Sequence, residues 1–482
     1  MSLDLVIRGG TVVTAEKTFR ADVGIEGEKI AQIKPGLTGT KEIDASGKLV
    51  LPGGVDSHCH VEQLSSSGKM CADDFYSASV AAAFGGTTTI IPFAAQHRGD
   101  SIVAVVDDYA KRAAEKAVID YGFHLIIADP TPKALDEELP QMVRRGITSF
   151  KVYMTYELLR LSDGQMLDVL AAADREKALV MVHAENHEII QWLTRRLLER
   201  GHRAPKFHMS AHHPIAEAEA TNRVVALSRL LDVPVLIVHV SGREAVQTIR
   251  AAQTLGARVF GETCPQYLFL KATDADKPGL EGAKWCCSPP PRDEASQEAV
   301  WAGLKDGTFQ VLSSDHAPYR FDESGKLPKG DNTTFKEMAN GVPGLQVRLA
   351  LLYSEGVRKG RLSLNDFVAL TATNHAKMYG LFPQKGTIEV GSDADLAIWD
   401  AEKRVTLTAG MMKDNVGYTP YEGMSVTGWP TTVLSRGRVV VENDRLKVER
   451  GTGKFIARGI PAPVAAATLR EGPAAVLRKL IG

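Results

Sequence analysis

The chain has 482 residues, 44% of them hydrophobic and 24% charged, with a net charge of -1. That length suits one large core plus an accessory domain, and the near-zero charge leaves no basic field to hold a nucleic-acid backbone. The opening MSLDLVIRGGTVVTAEKTF places an acid inside a short apolar run, which predicts neither a signal peptide nor a membrane span. Cys59, Cys71, Cys264, Cys286 and Cys287 show no C-x-x-C spacing, which predicts a reducing cytoplasm.

In chain order, residues 1–52 read as short strands and turns: LDLVIRGGTVVT, ADVGIEGEKIAQI, KEIDASGKLVLPG. Between 53 and 385, strand-like runs alternate with helical stretches. The runs are LVLPGGVDSHCH, TTTIIPFAA, YGFHLIIAD, ITSFKVYM, ALVMVHAE, VPVLIVHVS, ARVFGETC and FQVLSSDHAP. Mostly apolar, non-alternating strands suit a parallel sheet covered on both faces. Residues 188–200 predict an amphipathic helix with Ile189, Ile190, Leu193 and Leu197 on one face, stopped at Gly201; Arg195 and Arg196 read as its solvated side. The FGGTTT run precedes a strand, so it lacks the setting of a phosphate-binding loop. Residues 386–450 return to short strands, such as GTIEVGSDADLAIWD and TTVLSRGRVVVEND. The prediction is an α/β chain. A (β/α)8 barrel over 53–385 joins a smaller β-sandwich domain built from both chain ends, 1–52 and 386–450. The Ala- and Pro-rich tail, 451–482, is expected to lie on a neighbouring subunit or to wrap its own barrel.

Six donor side chains sit in or just past these runs. His58 and His60 end the first, Lys151 lies in the fourth, and His183 and His239 end the fifth and sixth. Asp315 ends the eighth. Strand alternation points His58 and His60 the same way and Cys59 the other. Closure of a barrel brings all these ends to one face, where such folds carry their sites. Together the six can hold two divalent metal ions around one hydroxide. Lysine is almost never buried unpaired, yet Lys151 lies in an apolar strand. Burial lowers its pKa and frees the amine to react with CO2; the carbamate formed would bridge two cations. Such a centre lowers the pKa of water from 15.7 to about 7. Asp315 would serve as ligand and proton shuttle, and a phenol, from Tyr153 or Tyr156, would donate to the developing oxyanion. Zinc is the expected metal, although manganese, cobalt or iron suits the same donors.

The motifs PGGVDSHCHVE, SFKVYMTYE, VHAEN, ETCPQYL, CSPPPR, SSDHAP, ANGVPG and GTIEVGSDADLAIWD resemble those of the dihydropyrimidinase/hydantoinase group of the binuclear amidohydrolase superfamily, over nearly the whole chain. The resemblance implies a cyclic amidase that opens 5,6-dihydropyrimidines or 5-substituted hydantoins to N-carbamoyl amino acids. It further implies that His58, His60 and Asp315 bind one metal, that His183 and His239 bind the other, and that carboxylated Lys151 bridges them. By the same resemblance Tyr156 is the oxyanion donor, Tyr153 a pocket wall, and Ser288 and Asn340 hold the ring amide through their backbones. A homotetramer or dimer is implied as well.

Two departures stand out. After the H-x-H step the chain runs into Gln63, Leu64, Ser65, Ser66, Ser67 and Gly68, a polar loop in place of an apolar one. It resembles a substrate gate, with Leu64 as its substrate-binding residue. His212 and His213 fall where relatives carry Ser-Arg-Pro, and are read as supporting residues rather than ligands. Allantoinase chemistry shares this metal core and stays open. Dihydroorotases carry an arginine where this chain has Val61-Glu62-Gln63. A non-catalytic scaffold would have lost ligands that are all present here.

Overall fold

The computed structural model describes residues 3–65, 68–467, 477 and 480. Eight short strands make up the barrel: β1 Gly54–Cys59, β2 Thr87–Ala95, β3 His124–Ile126, β4 Ser149–Tyr153, β5 Leu179–His183, β6 Val235–Ile237, β7 Val259–Thr263 and β8 Val311–Leu312. Each pairs in parallel with the next. The ring closes just beyond β8, where Cys59 bridges His316 and the His60 amide donates to the His316 carbonyl at 2.7 Å. Alternation sorts the side chains of each strand into two layers. Phe150 and Val152 of β4 join the layer beneath the outer helices, whereas Tyr153 joins an inner cluster with Phe93 and Met181. Both layers are buried, which explains why these runs look mostly apolar in the sequence.

The outer helices show ordinary start signals. Helix α1, Asp163–Glu176, opens on a Ser162/Gln165 capping box. Helix α2, His187–Glu199, opens on Asn186, whose side chain accepts from the Ile189 amide. The buried face of α2 is His187, Ile190 and Thr194. Ile189, Leu193 and Leu197 are only half-buried, so the expected stripe is rotated toward its edge. Arg195 and Arg196 are exposed, as read. Helix α3 is Pro214–Leu231.

The chain ends build two further sheets. One orders Lys29–Lys34, Asp22–Glu26, Leu3–Arg8 and Gly39–Asp44. In the other, Leu49–Pro52 from the N-terminal part lies against Leu396–Thr406 from the C-terminal part. Ile7, Val23, Val50, Leu396 and Leu434 form a core common to both sheets. A buried ionic cluster joins this assembly to the barrel. Lys385 Nζ reaches Asp120 at 2.6 Å and Asp393 and Asp395 at 2.9 Å each, and Arg436 Nε reaches Asp120 at 3.0 Å. The described part of the tail wraps its own barrel: the Ile456 amide donates to Tyr121 and the Arg458 amide to Gly146. Most of 468–482 lies outside the described residues, as do Ser66 and Ser67 of the loop read as a gate. Among the described residues, no helix is long and apolar enough to cross a membrane.

Candidate metal centre and ring cavity

All six expected donors meet at the C-terminal mouth of the barrel. The Nε2 of His58 lies 3.1 Å from Asp315 Oδ1, and that of His60 lies 3.4 Å from the same oxygen. One donor atom from each of these three residues fits within 4.8 Å of the others. Lys151 Nζ lies 3.2 Å from His58 Nε2. The His239 ring sits 4.4 Å from that of His183 and 5.4 Å from that of His58. Lys151, His183, His239 and Asp315 line one cavity of about 410 Å³ together with His60, Tyr153, Tyr156, Ser288 and Asn340.

Three imidazoles are held by their far nitrogens. His58 Nδ1 donates to Glu262 at 2.5 Å, His183 Nε2 to Glu185 at 2.8 Å, and His60 Nδ1 to Gln63 at 2.8 Å. Such bonds fix the tautomer and turn the other nitrogen toward a ligand. The sequence singles out neither Glu262 nor Glu185 as a supporting group, and Gln63 only as part of the polar gate loop. A buried acid inside the apolar run VFGETC is the same kind of signal as Lys151 and could have flagged Glu262. His212 supports the site from behind, Nδ1 to Glu185 at 2.9 Å, while His213 caps α3 by accepting from the Ile215 amide.

Electrostatics divides the groups by role. Burial pulls the Lys151 amine down to about 8, against the opposing pull of Asp315 and Glu262. Burial raises the Asp315 carboxyl, but His58 and His60 outweigh it and hold the group well below the usual range. His183 and His239 are pushed toward the neutral, ligating form chiefly by burial. Burial, reinforced by Glu185, pushes the Tyr156 phenol up, so it stays a hydrogen-bond donor; Ser288 and Asn340 offset only part of this. Three of these residues hold left-handed backbone, with φ of 43° at His239, 47° at Asp315 and 68° at Tyr156. For non-glycine residues that costs on the order of 1–3 kcal/mol each and is typically kept where function needs it.

Two expected site residues do not line the cavity: His58 is sealed behind it, in contact with Lys151 and Asp315, and Leu64 points away from it. Leu64 is 41% exposed and bridges Met70 in a small antiparallel turn, while its neighbours Gln63 and Ser65 line the rim. Period-two alternation in that extended segment turns the intervening side chain away. Tyr153 lines the cavity and packs its ring on His183 at 5.3 Å.

The donor set fits divalent ions: four imidazoles, one ionised carboxylate and one amine of lowered basicity are gathered at the cavity, and His239, which lines it, has a buried Nδ1 without a hydrogen-bond partner.

An amidohydrolase family model matches residues 49–440. The chain belongs to the amidohydrolase family. It is 44% identical to the D-hydantoinase of Geobacillus stearothermophilus over 94% of this chain and 96% of that one. It is 42% identical to the D-hydantoinase of Ralstonia pickettii over 95% and 99%. Among solved structures, a dihydropyrimidinase from Brevibacillus agri NCHU1002 superposes with a TM-score of 0.92 at 44% identity, covering 94% of this chain and 98% of that one. The fold is accordingly the closed (β/α)8 barrel with appended terminal sheets. Family membership and the His58–His60–Asp315 cluster together point to divalent metal binding.

Proposed function

We propose that this amidohydrolase opens the ring amide of a 5,6-dihydropyrimidine or a 5-substituted hydantoin, giving an N-carbamoyl amino acid. The observation that carries this reading is the convergence of His60, Lys151, His183, His239 and Asp315, with His58 against Lys151 and Asp315, on one cavity that also exposes Tyr156, Ser288 and Asn340. His58, His60 and Asp315 would hold one divalent ion, and His183 and His239 a second. Lys151 would stand between them after its neutral amine adds CO2, forming an N–C bond and releasing a proton. An amine of pKa about 8 is half neutral at that pH, whereas an ordinary lysine near 10.4 is less than about 1% neutral. Zinc is the proposed metal, because imidazole and carboxylate donors suit it.

When bound, such a pair of ions supplies an activated water near neutral pH and polarises the scissile carbonyl. The chain's own groups do the rest. Asp315, kept ionised by His58 and His60, accepts a proton from the attacking water and passes it to the departing ring nitrogen. Tyr156, kept protonated, donates to the oxyanion that develops at the carbonyl. Backbone groups of Ser288 and Asn340 hold the ring amide, and Tyr153 walls the cavity against His183. Among the described residues that line the cavity there is no arginine for a dihydroorotate-type carboxylate, the rim cations being Lys69, Lys329 and Lys336; at the sequence position concerned Glu62 is drawn off by Lys116 at 2.7 Å. Residence in the cytoplasm and assembly as a homotetramer or dimer complete the proposal, in keeping with five buried, unbridged cysteines for the first and with the family resemblance for the second.

The test is a kinetic panel of dihydrouracil, phenylhydantoin, allantoin and dihydroorotate against enzyme of known metal content. Ring opening of dihydrouracil or the hydantoin is expected to dominate. Preference for allantoin or dihydroorotate, or no turnover of any of the four with both ions bound, contradicts the reading.

A further inference from the structure

The loop that follows the metal centre carries a second fully buried lysine, and its surroundings differ from those of Lys151. Lys326 is 0% exposed. It reaches the interior from a tight loop in which its amide donates to the Arg320 carbonyl at 2.9 Å. Gly325 allows that turn: a Cβ there would sit 2.4 Å from the Arg320 oxygen. The ammonium has three protons and meets three acceptors, the carbonyls of Cys286 at 2.7 Å, Ala339 at 2.8 Å and Gly341 at 2.6 Å.

These acceptors are not scattered. Cys286 lies two residues before Ser288, and Ala339 and Gly341 flank Asn340. The Cys286 carbonyl also accepts from the Gly341 amide at 3.0 Å, so two segments distant in sequence meet at one oxygen beneath the cavity. Burying a positive charge against neutral dipoles alone is costly, and burial pulls this amine down to about 8. An apolar side chain would fill the same space at less cost, but it would leave three buried carbonyls unsatisfied and the two segments untied. The arrangement favours geometry over stability, and the geometry concerned is the spacing between Ser288 and Asn340.

We propose that Lys326 is a positioning residue for substrate recognition: its ammonium clamps the 286–288 and 339–341 segments at the separation that lets their backbone groups grip the two ends of a planar ring amide. The clamp rests on the reading of Ser288 and Asn340 as ring-binding residues. Lys326 does not line the cavity and takes no part in bond making.

Steady-state kinetics of the full-length holoenzyme, with metal content measured alongside, tests this. Wild-type turnover of dihydrouracil or phenylhydantoin is the first control, because its absence would sink the functional reading and leave no recognition to position. Given turnover, K326M is expected to raise KM about tenfold or more, with kcat within about threefold of wild type and metal content unchanged. K326Q keeps two donors and is expected to fall between, with KM raised about threefold. A folded variant with KM within twofold of wild type, or a loss confined to kcat or to bound metal, overturns the clamp while leaving the functional reading in place. Failure of both variants to fold makes Lys326 a residue of folding rather than recognition, and overturns it too.

Discussion

Lys151 and Lys385 are both sealed in the interior, at opposite ends of the barrel strands, and burial penalises the charge on each. They move in opposite directions. Lys385 faces Asp120, Asp393 and Asp395; burial opposes its charge, but the three carboxylates win and raise its pKa above that of an ordinary lysine. Around Lys151 the nearby acids are committed elsewhere. Glu262 binds His58, the His239 amide and Ser313, and Asp315 sits against His58 and His60. The nearest polar partner of Lys151 is an imidazole at 3.2 Å, and its pKa falls to about 8. Burial therefore does not by itself mark a reactive lysine. What decides is whether the neighbouring carboxylates belong to it. The Lys385 end is built for cohesion between barrel, terminal sheets and tail, and the Lys151 end for chemistry.

Substitutions should separate the two ends cleanly. At the Lys151 end the largest effect is expected from Asp315→Ala, which removes ligand and proton shuttle together and should lower turnover on the order of 10,000-fold. Turnover within tenfold of wild type would remove that double role. Tyr156→Phe comes next, with kcat reduced about 100- to 1,000-fold and metal content intact; a near-normal kcat would exclude this phenol as the oxyanion donor. At the Lys385 end the kinetic effect should be smallest. Lys385→Met removes the shared partner of three buried carboxylates, of which Asp120 keeps Arg436 and Asp393 keeps Lys29, and should cost about 3–5 kcal/mol in denaturant unfolding, yet leave metal content and kcat unchanged well below its melting transition. A parallel fall in bound metal would show that the two ends are not independent. The pH dependence has a defined sign. With a folded pKa above the ordinary value near 10.4, the stability supplied by Lys385 is fully present below that value and is lost only as pH rises through the still higher folded one. Thermal melts between pH 7 and pH 9 should show no loss from this cluster.

Much of the Lys151 end was legible in the sequence, and little of the Lys385 end was. Parallel strands buried on both faces leave continuous apolar runs, so eight strands could be read with their order. A donor at the end of such a run stands out because the surrounding residues are so uniform. His58, His183 and His239 were conspicuous for that reason, as was Lys151. Asp120, Asp393, Asp395 and Lys385 are polar residues in turns or at strand ends, where charge is unremarkable; Lys385, Asp393 and Asp395 are near neighbours in sequence, but only long-range packing brings Asp120 to them. The same limit hid Lys326, which sits in a loop without periodicity. Glu185 and Glu262 were visible as residues, but their roles depend on partners held through space. Leu64 came with the resemblance to a substrate-gate loop, which carries no register: in an extended segment a shift of one position exchanges cavity for solvent. The backbone strain at His239, Asp315 and Tyr156 has no signature in residue type at all.

The most direct measurement is the metal content of the purified full-length chain, read beside its turnover, for wild type and Lys151→Ala. The account predicts two divalent ions per wild-type chain, and loss of both metal and rate in the variant, partly restored by a short carboxylic acid. A wild-type preparation that turns over at full rate with no bound ion, or a variant that keeps both ions and the full rate, would contradict it.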